Sequence, residues 1–94
     1  DDSFYKFTLA LEMLKIDETA KARVLFEAIE NSDPEYVGVY YHLAKLYVEL
    51  GENKKALETY KKGIEVAEEQ GDNHTKSELS GALLNLEIEM EDES

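Results

Sequence analysis

The sequence predicts an all-α fold, an α-solenoid of antiparallel helix pairs. Three observations carry that prediction. Apolar residues recur at helical rather than alternating spacing along the chain. Turn residues at Asp17, Asp33-Pro34, Gly51 and Gly71 divide it into five such segments. A helix–turn–helix pattern is written twice, 34 residues apart.

The first helix is expected at about residues 3–15, and the second at about 18–31, with Ala22, Leu25, Phe26 and Ile29 as its apolar stripe. The third, at about 35–50, has Asp33 as its expected cap and Pro34 in its first turn, where a missing N–H costs nothing. Gly51 follows it and suits a left-handed helix end. The fourth, at about 54–70, has Asn53 as candidate cap and a stripe of Ala56, Leu57, Tyr60, Ile64 and Ala67 before Gly71. The fifth, at about 73–88, is capped by Asp72 and carries Leu79, Leu83 and Leu86. The acidic stretch from Glu87 onward is expected to fray. Connections of two to four residues make neighbouring helices antiparallel.

A 34-residue shift pairs Leu9-Ala10 with Leu43-Ala44, Met13 with Tyr47, Ala22 with Ala56 and Phe26 with Tyr60. Asp17-Glu18 and Gly51-Glu52 fall between the helices of the two copies. The second copy reads Tyr40-x2-Leu43-Ala44-x2-Tyr47, then Ala56-x3-Tyr60. The first reads Lys6-x2-Leu9-Ala10-x2-Met13, then Ala22-x3-Phe26, then Pro34. In these residues the chain resembles the tetratricopeptide repeat family, whose pattern is W-x2-L-G-x2-Y, A-x3-F and P. It departs from that pattern at Lys6, where a large aromatic is usual, at Ile29, where a small residue is usual, and at Glu68, where proline would end the second copy. A 36-residue shift matches Leu43, Tyr47 and Leu50 to Leu79, Leu83 and Leu86. The resemblance therefore implies one right-handed solenoid domain over residues 1–94: repeat 1 at about 3–34, repeat 2 at about 35–70, a capping helix at about 73–88 and an acidic tail at 89–94.

Composition narrows the function. The formal net charge is −12, and without Glu87, Glu89, Glu91, Asp92 and Glu93 it is still −7. Nucleic acid and anionic membrane surfaces are therefore not expected partners. No apolar run is long enough to span a bilayer, and "DDSFYKF" lacks a signal-peptide pattern. With no cysteine in the chain, the expected location is the cytoplasm. His42 and His74, the two histidines, have no second histidine at i+3 or i+4, so no metal site is expected. No phosphate loop or nucleophile elbow is present, so neither an enzyme nor a cofactor is expected.

What remains is a surface. The resemblance implies a concave groove, formed mainly by the first helix of each pair, that holds a peptide or helix of a partner protein. The groove-facing positions are expected one step from the core stripe. They are Phe4, Phe7, Leu11 and Leu14, then Tyr41, Lys45, Val48 and Glu49, then His74, Ser77, Gly81 and Leu84. Tyr40 and Tyr41 point in different directions, so Tyr40 is assigned to the core and Tyr41 to the groove as anchor, with Lys45 as polar handle. One subtype of the family grips a C-terminal carboxylate through groove lysine, arginine and asparagine. The matching positions are Phe7, Leu11, Lys45, His74 and Glu78, of which Lys45 alone is suited, so acidic tails are set aside as ligand. Two alternatives stand: homo-oligomerisation through the apolar first helix, and a scaffold role within a larger protein.

Overall fold

A computed structural model describes residues 1–93. Its elements, in chain order, are α1 (Asp2–Lys15), α2 (Thr19–Ser32), α3 (Gly38–Glu49), α4 (Asn53–Glu69) and α5 (Asn73–Asp92). Consecutive helices pack on one another, and α3 also meets α5. The solenoid is flat, 39 × 32 × 19 Å.

Three helix ends share one construction. Asp17, Gly51 and Gly71 are left-handed, with φ of 60°, 78° and 69°. The following N–H then reaches back: Glu18 to Met13 O at 2.8 Å, Glu52 to Tyr47 O at 2.8 Å, and Asp72 to Ala67 O at 2.9 Å. This is the Schellman arrangement, which satisfies carbonyls that a helix end leaves open. Glycine takes the conformation freely, and aspartate is among the few other residues that tolerate it.

Caps differ from expectation at two starts. Asp72 does cap α5, accepting from Thr75 N at 3.1 Å. Asn53 instead lies inside α4, behind Glu52, whose carboxylate is occupied by Arg23 and Lys55. Nor does Asp33 cap α3, which begins at Gly38 rather than near residue 35. The Asp33 carboxylate accepts from Ser3 Oγ at 2.6 Å, so it ties the connector to α1. The connector is held twice more: Tyr40 OH donates to Pro34 O, and Gln70 Nε2 donates to Glu35 O at 2.6 Å. At the other end, the acidic stretch expected to fray is helical through Asp92, because Leu86 is buried and Met90 packs against the core.

The core lies along the helix crossings. Ala10, Ala22, Ala44 and Ala56 are fully buried, as small residues must be where helix backbones approach. Phe26, Ile29, Val39, Tyr40, Leu43 and Leu79 fill the space beside them. Gly63 is the closest approach: a Cβ there would stand 2.5 Å from Tyr40 Cβ. Positions 40 and 63 correspond to Lys6 and Ile29 in the first repeat. The two departures in repeat 1 are therefore one exchange. Where repeat 2 pairs a large aromatic with glycine, repeat 1 pairs a half-buried lysine with a fully buried isoleucine.

A polar clasp joins the repeats. Arg23 Nε donates to Glu27 at 3.1 Å, and its terminal nitrogens reach both carboxylate oxygens of Glu52. Tyr47 OH donates to Glu27 at 2.5 Å, with the guanidinium 5.2 Å from the Tyr47 ring centre. Hydrogen bonding to Arg23 holds the Glu52 carboxyl below the usual range.

Candidate functional site

A hollow of about 250 Å³ opens between α3 and α5. From α3 it is lined by Tyr41, Lys45, Val48 and Glu49, one face at helical spacing. From α5 come Ala82, Asn85, Leu86 and Glu89, again one face. Tyr60 of α4 reaches it from below, 4% exposed. Burial, then the neighbouring Tyr41 and Glu89, push the Tyr60 phenol up, so it stays neutral. The walls are apolar at Tyr41, Val48, Ala82 and Leu86, while the rims carry Glu49 on one side and Glu89 on the other. The lining holds one ammonium, Lys45, and two carboxylates, Glu49 and Glu89.

This arrangement gathers part of the expected site. Tyr41, Lys45, Val48 and Glu49 share the hollow. His74 and Ser77 do not line it: both are exposed at the start of α5, and His74 makes one long approach to Glu78, 3.9 Å. Gly81 and Leu84 also face away; Leu84 is 57% exposed. The physical reason is positional. Residues carried over from α3 by a 36-residue shift lie on the exposed side of α5, away from α3. The hollow is cut between α3 and α5, so α5 contributes the edge that looks back at α3. Extending the stripe of Leu79 and Leu86 through positions 82, 85 and 89 is the signal that finds it.

The α1 positions take another course. Phe4 is 60% exposed. Leu11 and Leu14 are half-buried against the core. Phe7 packs on Phe26, Tyr36 and His42, with ring centres 6.0, 5.5 and 5.3 Å away. His42 is the wedge between this cluster and the hollow, stacked on Phe26 at 6.1 Å and edge-on to Tyr41 at 5.6 Å. Burial lowers its pKa, Lys45 lowers it further, and Glu78 opposes. His42 is thus an aromatic spacer, biased toward the neutral form, packed edge-on to Tyr41. Tyr36 has its place here too, against Phe7, its phenol raised by burial and by Asp33.

Among the described residues, no group of three or more His, Cys, Asp or Glu is arranged to hold a metal ion. Among the same residues, no helix is long and apolar enough to cross a membrane.

Comparison with known proteins agrees with the geometry. The family model for the tetratricopeptide repeat matches residues 17–73. The solution structure of a tetratricopeptide repeat domain protein from Salinibacter ruber is 47% identical, with a TM-score of 0.89, over 93% of this chain and 88% of that one. The solution structure of a Bordetella parapertussis protein is 25% identical, with a TM-score of 0.81, over 95% of this chain and 77% of that one. A serine/threonine-protein phosphatase T of Trypanosoma brucei brucei is 33% identical over 70 residues, 74% of this chain. The match spans 15% of that phosphatase.

Proposed function

This chain belongs to the tetratricopeptide repeat family, and from that premise we propose that it is a protein-binding module whose α3–α5 hollow receives one apolar side chain of a partner's helix or extended peptide. The observation that carries the reading is the composition of the hollow: apolar walls between two acidic rims. At about 250 Å³ it falls below the roughly 300 Å³ at which pockets for drug-sized ligands begin. It fits a side chain presented by a larger partner. Tyr41 is the anchor, an aromatic face held by His42. Lys45 is the handle for a carbonyl or carboxylate on the partner.

The rims set the partner's sequence character. Glu49 and Glu89 favour lysine or arginine on either side of the inserted residue, and the chain's net charge of −12 draws such a segment in. An acidic segment would meet like charge. The predicted ligand is therefore a short run with an apolar centre and basic flanks.

The test uses paired synthetic peptides, a leucine or phenylalanine centre with lysine flanks or with glutamate flanks, titrated into isotope-labelled protein. Lysine-flanked peptides should shift the amides of Tyr41, Val48, Ala82 and Leu86 and bind at least about tenfold more tightly, the equivalent of about 1.4 kcal/mol. Tyr41→Ala should weaken that binding with the helical circular dichroism unchanged, and the double variant Glu49→Gln/Glu89→Gln should remove the charge preference. Equal binding of both peptides, or shifts confined to another surface, would sink the reading.

A further inference from the structure

The two ends of the solenoid are chemically unlike. At the C-terminal end, α5's exposed Leu84 and Ile88 are interrupted by Glu87 and Glu89 and followed by Asp92 and Glu93. At the N-terminal end, Leu9, Met13, Ala20, Val24 and Leu25 line an open apolar hollow of about 410 Å³, with Lys21 as its one charged residue. Tyr5 and Ile16, 65% and 64% exposed, continue the α1 part of this face at helical spacing.

The repeat itself indicates what such a face receives. Tyr5, Leu9, Met13 and Leu25 correspond to Val39, Leu43, Tyr47 and Thr59 of the second repeat. Those four are 0–6% exposed, at the junction where α2 packs on α3. The α1 part of this face, with Leu25, is thus shaped as a docking surface for another helix, whereas Ala20, Lys21 and Val24 correspond to the exposed Lys54, Lys55 and Glu58 and lie beyond the surface that repeat 2 buries.

We propose that a second copy of this chain covers it, α1–α2 against α1–α2 about a two-fold axis. Charge selects this arrangement. Copies of net charge −12 repel one another over most of their surface. Around this face the charges cancel locally: Lys15 pairs with Glu12 at 3.2 Å, and Lys21 with Glu18 at 4.0 Å. Head-to-tail stacking would instead press the several carboxylates of α5 onto the apolar Leu9 and Val24, with Lys21 the one charged group lining the hollow there. A two-fold contact places apolar surface on apolar surface and closes upon itself.

Size sets the strength. Two fourteen-residue helices, rising 1.5 Å per residue and each about 10 Å across, present a face of about 20 × 20 Å. That is about half of the roughly 800 Å² per partner of a standard stable interface. The dimer is therefore weak and concentration-dependent. Its salt dependence is diagnostic. Salt screens the repulsion between copies and tightens the dimer, whereas it weakens capture of a basic peptide in the α3–α5 hollow.

Sedimentation equilibrium from about 10 µM to about 1 mM protein, at about 0.05 M and 0.5 M NaCl, tests this. The expected result is a monomer–dimer equilibrium that tightens with salt. Val24→Glu should weaken it at least tenfold, while Tyr41→Ala leaves it unchanged. Circular dichroism verifies that each variant is folded. Independently of any variant, amide shifts that depend on protein concentration should map to Leu9, Met13, Val24 and Leu25. A monomer throughout overturns the proposal. So does an association that salt weakens, one that Val24→Glu leaves intact, or one whose concentration-dependent shifts fall elsewhere.

Discussion

Positions 5 and 39 hold the same place in successive repeats, and their surroundings are opposite. Val39 is fully buried, whereas Tyr5 is 65% exposed. The contrast extends along the helices: Leu43 and Leu46 are 0% and 2% exposed, while their counterparts are the half-buried Leu9 and the exposed Glu12. A second difference lies inside the repeats. Tyr40 packs against Gly63, while the corresponding places hold Lys6 and Ile29. The first difference arises from having a neighbour. The second shows that what the two copies share is filled volume at the crossing of their helices, with the bulk on α3 in one and on α2 in the other.

The largest effects are expected from shrinking the bulky partner in one repeat and enlarging the small one in the other. Ile29→Ala removes three carbons from a fully buried site and should cost about 2–5 kcal/mol. Gly63→Ala does the reverse. The new methyl would lie 2.5 Å from Tyr40 Cβ, next to the backbone, so α4 itself must shift. Overpacking of this kind costs about 1–3 kcal/mol, and relief of glycine's helix penalty returns about 1 kcal/mol. The net expectation is a loss of up to about 2 kcal/mol. Urea denaturation followed by circular dichroism measures both. If Gly63→Ala were stabilising, the close crossing of α3 and α4 would be looser than its geometry indicates.

The same pair of positions shows what the sequence made legible. Five helices, their left-handed ends at Gly51 and Gly71, and the stripes at Ala22/Phe26/Ile29 and Ala56/Tyr60/Ala67 follow from periodicity and punctuation, which are local signals. Lys6 and Ile29 each read as a departure from the repeat pattern, but their being a single exchange depends on which residues meet across two helices. The start of α3, at Gly38, departs from its local signal for a related reason. Asp33 carries a local capping signal, and a partner 30 residues away, Ser3, claims its carboxylate. At the α3–α5 hollow, the α3 wall was legible because that helix has neighbours on both sides. The α5 wall was not, because the 36-residue shift carries over one face of α3 while α5 lines the hollow with another, through Ala82, Asn85, Leu86 and Glu89.

A smaller effect separates the aromatic seam between the repeats from the open end. His42 is held neutral among Phe7, Phe26 and Tyr41, with Lys45 and Glu78 the charged groups that act on it. Its folded-state pKa lies below the unfolded value of about 6.5, so the unfolded chain binds the proton more readily. The contribution is therefore complete above about pH 6.5 and is lost as pH falls through the folded pKa. Glu30 acts in the opposite direction, since burial raises its carboxyl and favours the protonated folded form. The difference between wild type and His42→Phe isolates the histidine: urea midpoints at about pH 7.5 and 5.5 should fall less in the variant. Equal falls would mean that His42 is hydrated enough to protonate in place.

The smallest expected effect is the most informative about the open end. Tyr5 makes its contribution, if the end of the solenoid is a docking face, only when something covers it. In dilute solution its ring is 65% in water, so Tyr5→Ser should change stability by no more than about 0.5 kcal/mol, the range of ordinary surface substitutions. At about 1 mM protein the same substitution should lower the apparent unfolding midpoint relative to wild type, because a dimer stabilises the folded chain by mass action. A loss of about 2 kcal/mol already in dilute solution would place Tyr5 in the monomer's own core, with Val39 as its true equivalent. The two repeats would then differ in sequence alone and not in having a neighbour.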